Sequence, residues 1–388
     1  MRAKDTYGGA GYEVQTTRLA TIPFAQLLGE KHLDDLPRLA RELEQLIRQA
    51  EVGYLSLGPA SPHMPRSYDV IPEAVAATQN VFFGGVMADR RHGLDLAAVR
   101  RCAQVIVQCG AIDPNGFANL RFAALANVRA GSPFFPAAYH EGSGTAFAVA
   151  TEAADLAVEA FKEAPNVDAG RRSLVAQMEK HAKALTRVGR ELAREPRTRL
   201  RSGIASQKPP RFLGIDFSLA PFPAETISLG AAFERLGVHK VGLHGSLAAA
   251  AILTEAIDRA RFRRAGFSGL LLPVLEDATL AARAAEGALT VKDLLLYSAV
   301  CGTGLDTVPL PGNTSAEQIA ALLLDLAALA LRLDKPLTAR LMPVPNKKAG
   351  EPTGFDFDFF ANSNVMALDS DGLQGSLGGS DSFPLRAR

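Results

Sequence analysis

Val81–Met87 (VFFGGVM), followed after a short interval by Leu94–Gln108 (LDLAAVRRCAQVIVQ), decides how the rest of the chain is read. The first is an apolar run of strand length with Gly84-Gly85 inside it. The second repeats apolar residues at helical spacing and carries Asp95 near its start, where a carboxylate suits the free amides of a helix. This strand-then-helix unit recurs on both sides. Upstream, the β-branched stretch Val14–Ile22 predicts a strand, and Leu36, Leu39, Leu43, Leu46 and Ile47 predict one face of a helix. Val52–Leu57 is a second strand ending at Gly58-Pro59, after which Pro62, Pro65 and Pro72 break a long loop and a helix is expected around Pro72–Thr78.

Downstream, Phe122–Val128 and Ala146–Ala150 are short apolar runs bounded by glycine or proline, and Phe212–Phe217 and Leu270–Val274 have strand character. Helices are expected over Glu152–Phe161, Arg171–Arg194, Ile227–Leu236, Ser246–Arg259, Thr279–Glu286 and Val291–Val300, with the basic segment Glu195–Pro210 as a connection. Leu337–Val344 and the alternating Phe355-Asp356-Phe357-Asp358-Phe359 predict a hairpin. Alternation over most of the chain makes this an α/β protein, a mostly parallel sheet or barrel wrapped by helices. It reads as a single domain, residues 1–368, with a Gly/Ser-rich tail, 369–388, expected to be mobile.

The chain has 388 residues, 47% of them apolar, and a formal net charge of +1, so it can bury a large core and offers no broad field for nucleic acid or anionic lipid. Ile319–Leu333 is the most apolar stretch, but Asp325 interrupts it and it is shorter than the roughly 20 residues a bilayer needs, so it is read as a buried helix. Met1–Gly11 lacks the apolar centre of an export signal, and three cysteines are too few for a disulfide framework. A cytoplasmic protein with no membrane or nucleic-acid partner is expected. Its partners are then a small-molecule ligand and, through the flat alanine-rich helix Ser246–Arg259, a second copy of itself.

Candidate chemistry sits in a few loops. Pro133–Gly144 places His140 beside Glu141, an acid/base pair, although a structural histidine in a glycine-rich turn fits as well. Gly142 and Gly144 lack the third glycine and the following helix of a dinucleotide fingerprint. In Cys301-Gly302-Thr303-Gly304-Leu305-Asp306, a thiol at a helix end and a carboxylate lie close in sequence; a buried, inert thiol is the alternative. Cys102 and Cys109 share an apolar helical face and read as packing. His244 precedes a helix whose free amides suit an anion, with ordinary capping by Ser246 as the plainer account. Asp216 and Ser218 share one face of a strand end. Arg340, with Lys347 and Lys348, suits a carboxylate or phosphate, or is simply solvated. Asp356 and Asp358 are too few to make a metal site on their own, and the sequence specifies neither a metal nor a cofactor.

Taken as a set, Asn127–Glu141, Gly214–Pro223, Gly242–Ala249 and Ala299–Asp306 resemble domain-of-unknown-function family 711, the UPF0210-type proteins often labelled pyruvate formate-lyase-like. The likeness runs over about Val14–Met366. It implies a ten-stranded α/β barrel similar to glycyl-radical enzymes, with a cysteine-bearing loop entering the barrel, and would put Cys301 on that loop. The segment holding Gly372, Gly375, Gly378 and Gly379 lacks the Arg-Val-x-Gly-aromatic pattern of a radical-bearing glycine, so no glycyl-radical chemistry is expected. The resulting expectation is an enzyme acting on a small, anionic metabolite. His140 and Glu141 would be acid and base, Cys301 and Asp306 would line the pocket, and Asp216, Ser218, His244 and Arg340 would bind substrate. The alternative is a non-catalytic ligand-binding or regulatory protein on a degenerate barrel scaffold.

Overall fold

A computed structural model describes residues 2–142, 144–194 and 209–388. The basic connection expected at Glu195–Pro210 lies almost wholly outside the described residues. The strands are β1 (Arg18–Ala20), β2 (Tyr54–Ala60), β3 (Val81–Asp89), β4 (Gly93–Asp95), β5 (Phe122–Ala126), β6 (Ala146–Glu152), β7 (Arg211–Ala220), β8 (Gly304–Pro311), β9 (Leu337–Val344) and β10 (Ser382–Phe383). β1, β2, β3 and β5 pair in parallel in that order. β9 then joins β5 antiparallel, and β8 lies parallel to β9. β6 and β7 form a separate parallel pair.

Single parallel bridges, Pro273 to Asp306, Leu219 to Leu270 and Ile215 to Arg264, link β8 to β7 through the segment between residues 264 and 273. The result is a mixed α/β fold with a mostly parallel sheet, and among the described residues the ladders do not close into the expected ten-stranded barrel. The expected strand Leu270–Val274 is reduced to those bridges. Pro273 has no amide to give a ladder, and the stretch before it turns sharply, with Gly266 and Ser268 both at positive φ.

The two faces of the main sheet do different work. Leu55, Leu57, Phe83, Phe122, Ala124, Ala339 and Leu341 face the main core, where the helices Leu96–Gly110 and Ala316–Arg332 pack on one another and against β3, β5 and β9. Leu96–Gly110 starts where Asp95 accepts the Ala98 amide at 2.7 Å, and its Cys102 and Cys109 are fully buried, as packing requires. Burial pushes both thiols up. Ala316–Arg332 is fixed by reciprocal capping between Ser315 and Gln318. Among the described residues no helix is long and apolar enough to cross a membrane.

The opposite face carries the alternate residues, Tyr54, Phe82, Ala123 and Leu125, and is covered by the loop 132–139. There Phe82 meets Phe135 edge-on, Phe134 meets Phe267, and the Ser56 hydroxyl donates to the Ala138 carbonyl at 2.6 Å.

Two expectations at the C-terminal end are corrected. Phe355–Phe359 is not a strand: Phe355, Phe357 and Phe360 converge on Phe117. The Asn362 side chain bonds both the amide and the carbonyl of Phe355, replacing a strand partner. The tail is also held, because β10 pairs antiparallel with β4 and the Leu96 amide donates to the Asp381 carbonyl at 3.0 Å.

Candidate active site

Strict alternation along β9 sends Leu337, Ala339 and Leu341 to the main core and Arg340 to the loop-covered face. β8 reaches the same face by irregularity. Its register with β9 shifts between Leu305 and Val308, and Thr307 sits at φ 41°, an uncommon conformation for a β-branched residue. That bulge brings Asp306 against Arg340. The guanidinium donates from Nε to Asp306 Oδ1 at 2.5 Å and from Nη2 to Glu276 Oε1 at 2.7 Å, and lies over the Phe134 ring at 5.9 Å. Burial opposes the charge on Arg340, but the two carboxylates more than offset it and hold the guanidinium above its ordinary range.

Glu276 ends the short turn of helix Val274–Glu276. Burial raises its carboxyl to about 7; Arg340 and Arg18 pull it down, while Asp306 and Glu152 push it up. Its side chain nevertheless keeps 26% of its surface in solvent, so it can exchange protons. Arg18, on β1, lies over Tyr54 at 5.4 Å and Phe135 at 5.5 Å, and its Nε donates to Thr16. Among the described residues it forms no ion pair, though Glu152 and Glu276 both favour its charge. Arg18 and Glu152 are exposed to solvent, yet burial is the leading influence on each, lowering the one and raising the other. Phe134 against Arg340, and Phe135 and Tyr54 against Arg18, give this charged cluster its apolar neighbours.

The structure brings together two of the residues singled out in the sequence, Asp306 and Arg340. Asp216 and Ser218 do share a face and bond each other at 2.6 Å, but they are occupied. Asp216 accepts the Phe267 and Ser268 amides at 2.9 and 2.7 Å, and Ser218 accepts that of Gly269 at 3.2 Å. They staple β7 to the segment that bridges to β8. Burial still raises the Asp216 carboxyl despite these donors. Gly266, at φ 62°, is required there, since a Cβ would strike the Asp216 carboxylate.

His140 and Glu141 do not pair. The imidazole Nδ1 accepts the Gly142 amide at 2.6 Å, the His140 amide donates to Thr21, and Glu141 is exposed. Cys301 is fully buried in the main core, not at a loop tip, and its carbonyl accepts from the Lys335 ammonium. Loop 132–139, not the cysteine-bearing segment, covers the face of the main sheet opposite the core that holds Cys301. His244 is exposed ahead of the helix Ser246–Arg259, whose N-cap is Gly245; the Ser246 hydroxyl turns back to the Leu243 carbonyl at 2.7 Å.

Arg18, Glu152 and Glu276 were missed. Arg18 had a signal, because Thr16, Arg18 and Ala20 fall on one face of the predicted first strand. Glu276 had none, being masked by Asp277, which takes the Ser228 hydroxyl and the Leu229 amide at 2.6 and 2.7 Å. A groove of about 400 Å³ at the amino ends of β1 and β2 is a weaker candidate. Its Glu44 carboxylate is taken up by the Gln79 and Asn80 amides.

Comparison with known proteins identifies relatives across the chain. The family model Uncharacterised ACR (DUF711) matches residues 2–362. A UPF0210 protein of Desulforudis audaxviator is 34% identical over 358 residues, covering 88% of this chain and 76% of the relative. One from Pyrobaculum arsenaticum is 36% identical over 288 residues, 72% of this chain and 61% of the relative. A third, from Neisseria meningitidis serogroup B, is 29% identical over 359 residues, 89% and 77%. The aligned part thus spans about three fifths to three quarters of these relatives' own length.

Proposed function

Since the chain belongs to the Uncharacterised ACR (DUF711) family, whose relatives above are named only as UPF0210 proteins, its chemistry is read from its own residues, and we propose an enzyme acting on a small anionic metabolite bound in a recess beside Glu276 and Arg18. Glu276 is the general acid/base, Arg18 docks the anion, and Arg340, clamped by Asp306, holds the Glu276 carboxyl in place. In this reading the two sheets and the bridging segment act as the walls of a barrel-like enclosure. The partner is a small molecule, and no glycyl-radical step is involved.

The observation that carries the reading is Glu276, raised to about 7 and still in contact with solvent, beside an arginine without an ion-pair partner among the described residues. A proton-transfer group works best when its pKa lies near the working pH, and such displaced groups gather at functional sites. An unpaired guanidinium flanked by two aromatic rings suits a carboxylate or phosphate, which it can grip with two parallel N–H donors.

A thermal-shift screen of small carboxylates and phosphorylated metabolites against the wild type, Arg18→Met and Glu276→Gln tests it, with turnover of each hit followed by mass spectrometry. A hit should bind the wild type and Glu276→Gln but bind Arg18→Met at least about ten-fold more weakly, and Glu276→Gln should lose about 10²–10⁴-fold in turnover. Unchanged turnover in Glu276→Gln overturns the catalytic assignment. Binding without turnover in the wild type replaces it with the ligand-binding alternative.

A further inference from the structure

At the carboxyl ends of neighbouring strands β2 and β3, apart from the recess residues, the loop after β2 carries His63 and the turn after β3 carries His92. Their Nε2 atoms face each other at 3.2 Å, with ring planes at 81°. Asp89 stands behind His92: its Oδ2 is 2.8 Å from His92 Nδ1, and its Oδ1 accepts the Arg91 and His92 amides at 2.7 and 2.8 Å. The carboxylate is therefore fixed before any ligand arrives.

A carboxylate on Nδ1 demands a proton there, which leaves the Nε2 of neutral His92 with its lone pair facing outward. With no ion present, His63 supplies the proton that lies between the two Nε2 atoms. His63 Nδ1 has no side-chain partner among the described residues, so that proton can move to the other ring nitrogen and free a second lone pair. Two nitrogens at about 2.0–2.1 Å from a tetrahedral ion are about 3.3 Å apart, close to the separation already present. A carboxylate on the far nitrogen of a ligating imidazole is also the usual supporting contact that fixes the tautomer and raises basicity.

We infer that His63 and His92 form a two-imidazole site for a borderline divalent ion of the zinc class, oriented by Asp89, with water in the remaining positions. Imidazole pairs suit zinc, copper and nickel rather than magnesium or calcium, which take oxygen. The site ties the loop after β2 to the turn after β3, and it stands independently of the proposed reaction.

The test is zinc titration of the full chain, freed of any histidine tag, by calorimetry and by competition with a chromophoric chelator. One equivalent should bind. His63→Ala and His92→Ala should each weaken it by at least about ten-fold, and Asp89→Asn by about 10–100-fold. Both histidines are exposed, so neither change removes core packing, and unfolding curves of the variants in chelator should overlay the wild type. Absence of stoichiometric binding at tens of micromolar zinc, or binding that survives the double alanine variant, overturns the site.

Discussion

Glu276 and Asp277 are adjacent carboxylates with opposite fates, and the difference lies in what the chain turns them toward. Asp277 points into amides and a hydroxyl and caps the helix Ala278–Ala285. Glu276 points at a guanidinium and at water. Nothing in the local sequence separates them, which is why the site was only half legible. Asp306 and Arg340 stood out as charges next to strand-like runs, whereas the partners that give them chemistry come from segments some 30 to 320 residues away in the chain. His140 stood out beside Glu141 in a glycine-rich loop and Cys301 at a helix end before a glycine-permitted turn; in the fold the His140 imidazole accepts the Gly142 amide and Cys301 lies in the main core.

The Glu276 carboxyl has a consequence for stability. Its folded pKa, about 7, lies above its ordinary 4.5. The native state thus binds more protons than the unfolded chain. The contribution is full below about pH 4.5 and is lost as the pH rises to about 7, by at most about 3 kcal/mol. Urea unfolding of the wild type should show stability falling across that window, and Glu276→Gln should flatten the fall; equal slopes in the two proteins would refute the assignment. Asp306→Ala, which removes the more buried of the two carboxylates that pair with the nearly sealed Arg340, should cost about 3–5 kcal/mol in the same assay.

Among elements, long periodic segments were legible and compensated ones were not. The helices Leu36–Gln49, Leu96–Gly110 and Ala316–Arg332 follow their apolar spacing, since a 3.6-residue period has one way to face a sheet. Phe355–Phe359 carried an equally clear period of two and is not a strand, because aromatic packing on Phe117 and the Asn362 amide satisfy the same groups without a ladder. β8 went unseen because its bulge at Thr307 breaks the alternation that would announce it. The bridging segment between residues 264 and 273 depends on side-chain staples instead of a ladder. Gly266→Ala should therefore cost about 1–3 kcal/mol, from strain at positive φ alone before the collision with Asp216 is added. An unchanged denaturation midpoint would show that the staple is dispensable.

For the whole molecule, alternation predicted the α/β class and the parallel character of the sheet, but not its antiparallel seam. β5 and β9 meet in opposite directions across more than 200 residues of intervening chain, a pairing that no local pattern encodes. The C-terminal segment was likewise misread from its glycines and serines, which say nothing about whether an edge strand is waiting for it. Truncation after Ser380 removes β10 and leaves the β4 edge and the Leu96 amide bare, and should lower the melting temperature by a few degrees. An unshifted melting curve would mean that the segment docks without contributing.

The loop 132–139 covers one face of the main sheet while lending no strand to either sheet. In the proposed reading, what fits beside Arg18 and Arg340 is decided by a stretch of chain whose replacement disturbs no ladder. Exchanging Phe134 or Phe135 for smaller or larger residues changes the rings that lie against Arg340 and Arg18 without redrawing either sheet. A framework built in this way can be retuned for a new guest by grafting one short loop, much as a mould is altered by changing its insert.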